Sequence, residues 1–366
     1  MKLVLERATL LKVLGHVQSV VERRNTIPIL GNVMITAESG SVTMTATDLD
    51  IQATETAPAQ VEIAGATTVP AHTFHDIVRK MPDGCMVQIS VSDEKMIVAS
   101  GRSRFTLPIL PSDDFPLLAN DELPIKLSLP SETLSAMFGR ARYAISTEET
   151  RYYLNGIFFH SIDDTLFSVS TDGHRLVQIS IPHPEGTAEI AGIIVPRKCV
   201  SEVLKVVDDI DGEIHISLSE TKIRFEIGNL VYTSKLIDGT YPDYARVIPT
   251  TNDKDVLVDA KALAEAIDRV ATITTERTRS VKVKLKRNEL TLSVTSPETG
   301  LATETVDVEY DGEPLEIGFN ARYLLDVLLQ DRDGEIKIAF KNPSDPVLFT
   351  SERRPGDLGV VMPTRV

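Results

Sequence analysis

The sequence holds little of what enzyme active sites and secreted scaffolds are commonly built from. Cys85 and Cys199 are its only cysteines in 366 residues. Far apart and without CxxC spacing, they exclude a cysteine-built zinc site and suit a reducing compartment. No G-x-G-x-x-G opens a helix, no G-x-x-x-x-G-K-[ST] follows a strand and no H-E-x-x-H occurs, so nucleotide-binding and metalloprotease readings have no anchor. Long apolar runs are missing too: none approaches the roughly 18 residues that a membrane span needs. The opening Met1-Lys2-Leu3-Val4-Leu5-Glu6-Arg7 is broken by charge before a signal-peptide core can develop, and a cytoplasmic location is expected. Positive charge is scarce, with 38 Lys and Arg against 53 Asp and Glu and a net charge of -15. That argues against nonspecific adhesion of the whole outer surface to nucleic acid, while leaving room for a segregated basic face.

What is present is a globular composition, 42% hydrophobic and 25% charged, in a chain long enough for two or three domains of about 100 to 150 residues. Apolar residues spaced i, i+3, i+4, i+7 mark one helix face at Leu10, Val13, Leu14 and Val17. The spacing returns at Leu134, Met137, Phe138 and Ala141 and at Leu263, Ala266, Ile267 and Val270, intervals of about 125 residues. A second helix repeats likewise: Phe74, Ile77, Val78 and Met81; Val200, Val203, Leu204 and Val207; Ala321, Leu324, Leu325 and Leu328. Between them lie β-branched runs of period two, such as Val42–Thr47, Leu166–Thr171 and Leu290–Thr295, which predict antiparallel sheet. The fold class is therefore α+β: three repeated domains, 1–124, 125–250 and 251–366, each with two helices packed on antiparallel sheets.

Against the acidic total, basic residues collect on helices and nearby loops away from the apolar faces: Lys12, Arg23, Arg24, Arg79, Lys80, Arg140, Arg142, Arg197, Lys198, Lys205, Arg269 and Arg322. Duplex DNA carries one negative charge per about 1.7 Å, so such a row gives sequence-independent attraction. Solvated helix faces paired with neighbouring acids are the alternative. Arg151-Tyr152-Tyr153 sets a cation beside two aromatics suited to phosphate or unpaired bases, or to a structural role. His72 and His75 share a helix face but lack a third ligand, so no metal or cofactor is expected. Asp331-Arg332-Asp333-Gly334-Glu335 lacks full calcium-loop spacing and reads as a turn. Ser170-Thr171-Asp172-Gly173-His174-Arg175-Leu176 looks like an active site at first glance. Its counterpart in the first repeat is Thr47-Asp48-Leu49-Asp50, so a turn with an exposed recognition surface is expected ahead of a hydrolase triad.

Together with the triple repeat, several phrases resemble the bacterial β sliding clamp family, the processivity subunits of DNA polymerase III. They are Ile27-Pro28-Ile29-Leu30-Gly31-Asn32, Gly101-Arg102-Ser103-Arg104-Phe105, Arg151-Tyr152-Tyr153-Leu154-Asn155-Gly156, Thr171-Asp172-Gly173-His174-Arg175-Leu176, Tyr241-Pro242-Asp243-Tyr244 and Val361-Met362-Pro363. The resemblance implies a DNA clamp fold assembled as a head-to-tail homodimeric ring around duplex DNA, without intrinsic catalysis. It implies a cleft between the second and third domains for short peptide motifs of the polymerase catalytic subunit, clamp loader and repair proteins. Carried over, the cleft comprises Leu154, Thr171, Gly173, His174, Arg175, Leu176, Pro242, Arg246, Val247, Asn320, Tyr323, Val360, Met362 and Pro363. The implied DNA contacts include Arg24, Arg151, Tyr152 and Tyr153, to which the charge pattern adds Arg79, Lys80, Arg197 and Lys198. Phe105 and Ile273 match the subunit interface. The chain departs from the family at Thr364 and Val366, where methionine and leucine are frequent, and at Thr272 and Thr278, which are more polar than is common there. A hydrolase using Asp172 and His174 and a protein-binding scaffold without DNA are the rival readings.

Overall fold

The computed structural model describes all residues except Asp93, 185–186, 275–278, Arg332 and Val366. Thr278, Val366 and Arg332 of the 331–335 turn thus lie outside the described residues. One plan of strand, helix, strands, helix, strands occurs three times. The first copy is β1 (Lys2–Glu6), α1 (Arg7–Gln18), β2 (Asn32–Glu38), β3 (Ser41–Thr47), β4 (Ile51–Pro58), β5 (Gln60–Ile63), β6 (Gly65–Pro70), α2 (Ala71–Arg79), β7 (Met86–Ser92), β8 (Lys95–Ser100) and β9 (Ser103–Pro108). The second is β10 (Ile125–Pro130), α3 (Ser131–Ala141), β11 (Gly156–Ile162), β12 (Thr165–Thr171), β13 (Arg175–Pro182), β14 (Ile193–Pro196), α4 (Arg197–Val207), β15 (Glu213–Leu218), β16 (Lys222–Ile227) and β17 (Leu230–Lys235). The third is β18 (Lys254–Asp259), α5 (Ala260–Ala271), β19 (Ser280–Lys286), β20 (Glu289–Ser296), β21 (Gly300–Asp307), β22 (Leu315–Asn320), α6 (Ala321–Leu328), β23 (Glu335–Phe340), β24 (Val347–Thr350) and β25 (Leu358–Val361).

The helices form where the apolar spacing demands one buried face. Leu10, Val13, Leu14 and Val17 of α1 are buried, as are Leu134, Met137, Phe138 and Ala141 of α3. In α6 the buried stripe runs through Ala321, Leu324, Val327 and Leu328, while Leu325 is half-buried. Proline ends the preceding strand at Pro70, Pro130 and Pro196, where a missing N–H costs no ladder bond. In the third copy side chains cap instead: the Asp259 carboxylate accepts from Ala262 N at 2.7 Å and Asn320 Oδ1 accepts from Arg322 N at 3.0 Å.

The antiparallel sheets tie consecutive repeats together, so the three repeats gather into two compact units. Met1–Ser135, Pro184–Ala188 and Val195–Ile237 make the first. It holds a sheet ordered β5-β1-β7-β8-β9 and another ordered β10-β15-β16-β17-β4-β3-β2-β6, joined across repeats where Tyr232 of β17 faces Ala53 of β4. Ala136–His183, Glu189–Ile194 and Asp238–Val366 make the second. There the order β14-β11-β12-β13-β25-β24-β23-β18 joins repeats where Leu176 faces Val360, beside a smaller sheet β21-β20-β19-β22. Phe319, Phe340, Leu263, Ile267 and Leu324 centre one core of the second unit. Each such side chain contributes about 1.5–3 kcal/mol by leaving water.

Candidate functional site

The turn between β12 and β13 is built by one carboxylate. Asp172 Oδ1 accepts from His174 N at 2.9 Å and Arg175 N at 3.0 Å, and Gly173 sits at φ +87°. The first repeat makes the same turn between β3 and β4. Asp48 Oδ1 accepts from Asp50 N at 2.9 Å and Ile51 N at 2.8 Å, with Leu49 at φ +81°. The two turns differ at Oδ2. Lys198 takes that oxygen of Asp48 at 2.6 Å, whereas Arg175 Nε takes that of Asp172 at 3.0 Å.

Arg175 and Leu176 do not offer their side chains to solvent; both are buried, and of the trio 174–176 only His174 is exposed. The remaining guanidinium nitrogens of Arg175 donate to Asp326 of α6 and, at 2.7 Å, to the carbonyl of Tyr143. Its carbon lies 4.5 Å from the centre of the Tyr323 ring and 5.3 Å from that of Tyr143. Burial pulls its pKa down, but hydrogen bonds and charge from Asp326 and Asp172 outweigh that, and the net shift is upward. Tyr323 is thus buttressed from beneath, and His174 stacks on it at 6.1 Å and 19°.

The chain's end completes this corner. Between β13 and β24, β25 pairs with both. Past it, Met362 N donates to His174 O and Thr364 N to Gly318 O of β22, both at 2.8 Å. Thr171, Gly173, His174, Arg175, Leu176, Tyr323, Val360 and Met362 are therefore joined by direct contacts or shared ladders, with Pro363 on the same tail and Asn320 capping α6. Leu154 is buried at the end of a 3-10 turn just before β11. Pro242, Arg246 and Val247 are tied to β11 rather than β13, through Tyr241, whose ring stacks on Phe158 at 4.7 Å, and Tyr244. Val247 is 51% and Met362 37% exposed, large apolar side chains left open to solvent.

Basic residues sort into free and committed. Lys12, Arg23, Arg24, Lys80, Arg142 and Arg197 form no ion pair among the described residues, whereas Arg79 pairs with Asp76, Arg140 with Asp357, Lys205 with Glu202 and Arg269 with Glu304. Lys198, 2.5 Å from Glu22 and 2.6 Å from Asp48, is the most committed of the expected DNA contacts. Arg151 pairs with Glu148 at 2.8 Å and lies against Gly173, where a Cβ would collide with its guanidinium. Tyr152 is 53% exposed and meets Tyr153 edge-on at 5.9 Å. Phe105 stands 38% exposed on edge strand β9 of the first unit, and Ile273 packs half-buried on the core of the second.

Family models for the N-terminal, central and C-terminal domains of the DNA polymerase III beta subunit match residues 1–119, 128–243 and 245–365. The chain belongs to the bacterial β sliding clamps. It is 47% identical to the β sliding clamp of Caulobacter vibrioides and 36% to that of Escherichia coli, with both chains covered in full in each case. Among solved structures it is similar to a sliding clamp of Bartonella birtlesii bound to griselimycin, with TM-score 0.98, 45% identity and complete coverage of both chains. As a member of this family it is a processivity factor of DNA polymerase III and not a catalyst.

The clamp assignment agrees with what occupies the apparent triad. Ser170 is buried and its hydroxyl donates to Ala141 O, Asp172 is consumed by the turn, and His174 lies on Tyr323. Among the described residues no nucleophile is hydrogen-bonded to that histidine's ring. His72 Nε2 lies 3.1 Å from Val21 O, which gives this imidazole a structural use. Sequence reasoning missed Tyr143 and Asp326 as partners of Arg175, His160 beneath the 241–247 segment, and Leu301, 70% exposed on edge strand β21.

Proposed function

We propose that the Met362-bearing corner is the cleft in which this clamp docks short peptide motifs of the polymerase catalytic subunit, clamp loader and repair proteins. Leu154, Thr171, Gly173, His174, Arg175, Leu176, Pro242, Arg246, Val247, Asn320, Tyr323, Val360, Met362 and Pro363 form its walls, Arg175 from beneath. The observation that carries this reading is the path of the tail, which hydrogen-bonds first to the His174 turn and then to β22, leaving Met362 exposed next to His174, which itself lies on Tyr323. Griselimycin, bound by the Bartonella birtlesii clamp, serves as a probe. Calorimetric titration of the full chain is expected to register binding that removal of 362–366 abolishes; equal affinity after truncation overturns the cleft.

Three domains divided at 124 and 250, two copies joined head to tail and duplex DNA threaded through the resulting ring complete the proposal, for a protein working in the cytoplasm. An interface that closes after two subunits gives a ring rather than a fibre. Two unpaired edge strands support this: β9 with Phe105 and β21 with Leu301, beside Ile273, each an exposed ladder seeking a partner. Arg24, Arg79, Lys80, Arg151, Tyr152, Tyr153, Arg197 and Lys198 supply the DNA surface, with Arg24, Lys80 and Arg197 contributing most because no carboxylate among the described residues neutralises them. Retention on nicked circular DNA after loading, and release on linearisation, tests the ring. Retention that survives linearisation overturns topological binding.

A further inference from the structure

Strand β11 is covered on both faces, which an antiparallel strand with one face to water does not require. On one side Phe159 meets Phe138 of α3 edge-on at 6.0 Å. On the other, Phe158 and His160 lie beneath the segment between β17 and β18. Tyr241 stacks on Phe158 with the planes 2° apart; His160 follows at 4.6 Å; Phe167, its cross-strand partner, stacks on it at 5.1 Å. Tyr244 Oη lies 3.0 Å from His160 Nε2, so one of the pair donates whichever tautomer the imidazole takes. Gly192, at φ +120°, leaves room for Phe158: a Cβ there would come within 2.6 Å of the ring.

The covering segment has little structure of its own. Between Lys235 and Lys254 it contains one 3-10 turn, Tyr244–Val247. Its internal ion pair, Arg246 to Asp243 at 2.7 Å, is 84% and 57% exposed and contributes little. The placement of Pro242, Arg246 and Val247 therefore rests on the aromatic anchors at 241 and 244.

We propose that His160 and Tyr244 are positioning residues of the docking cleft: their hydrogen bond holds the 241–247 segment on β11 and sets where Val247 and Pro242 stand for a ligand. This rests on the cleft reading above. Neither side chain touches the ligand; both act through the segment they hold.

The test compares wild type, Tyr244→Phe, which removes only the hydroxyl, His160→Phe, which keeps a ring in the stack, and the double variant. Griselimycin affinity is read by calorimetry and backbone hydrogen exchange over 238–250 by mass spectrometry. Each single change is expected to weaken binding about five-fold and to speed exchange in that segment, and the double variant to be no worse than either single one. A role confined to packing would lower the melting temperature without moving affinity. Unchanged affinity in both single variants while wild type binds overturns this inference alone, as do losses that add in the double variant. Failure of wild type to bind overturns the cleft reading and this inference with it.

Discussion

Replacing Arg175 by alanine removes one guanidinium and strands three acceptors: the Asp172 and Asp326 carboxylates and the Tyr143 carbonyl. Breaking a buried ion pair by deleting one partner costs about 3–5 kcal/mol, because the surviving charge lacks both water and counter-charge. Here the survivors keep some water, their side chains being 17% and 25% exposed; Asp172 keeps two backbone donors, and Asp326 keeps Arg322 at 3.8 Å. The expected loss is therefore near the lower limit, about 3 kcal/mol. Arg175→Lys keeps the charge but cannot span three acceptors or lie flat on Tyr323, and should lose about 1–2 kcal/mol. Urea titration followed by circular dichroism measures both. A double-mutant cycle with Asp326→Ala isolates the tie to α6, with an expected coupling of about 1–3 kcal/mol. A loss below about 1 kcal/mol for Arg175→Ala, or a coupling of zero, would mean that water rather than the two carboxylates satisfies the guanidinium in solution.

Burial pushes the His160 pKa down from 6.5 to about 4, so the folded protein keeps this ring neutral where the unfolded chain takes a proton. Its neutral-state contribution is complete above pH 6.5 and falls as pH drops toward 4, by about 1.4 kcal/mol per unit; Tyr244→Phe and His160→Phe should separate, only the latter flattening the acid limb of the stability curve. Leu49 holds a bulky side chain at φ +81° where the second repeat has Gly173. Leu49→Gly is expected to stabilise the protein by about 0.5–1 kcal/mol, relief of backbone strain exceeding the entropy that glycine adds to the unfolded chain, and a lower melting temperature would count against it. Leu301→Asp places a charge at the exposed Leu301 position on edge strand β21 and should shift sedimentation of the proposed dimer toward monomer with the melting profile preserved; an unmoved dimer would remove β21 from the proposed interface.

The triple repeat was legible because burial forces apolar residues into helical spacing whatever their partners, and each copy needs the same buried faces. Arg175 was not, because a charge in a strand of period two reads as solvent-facing. Its burial depends on Asp326, 151 positions away, and His160 depends on Tyr244, 84 positions away. One signal was available: aligned turns set Ile51 opposite Arg175, and an apolar counterpart marks a buried position. The same alignment explains why the proposed docking corner falls at only one of these two turns. In the first unit the second oxygen of Asp48 is satisfied by Lys198, the second residue of α4, which seats that helix terminus on the turn. In the second unit Arg175 satisfies Asp172 from within the turn and carries its remaining donors down to Asp326 and Tyr143. Nothing has to sit on that carboxylate, so His174 stays exposed on Tyr323. Substituting an arginine for the repeat's isoleucine thus does two things at once: it fastens β13 to α6 from below, and it leaves the surface above them free.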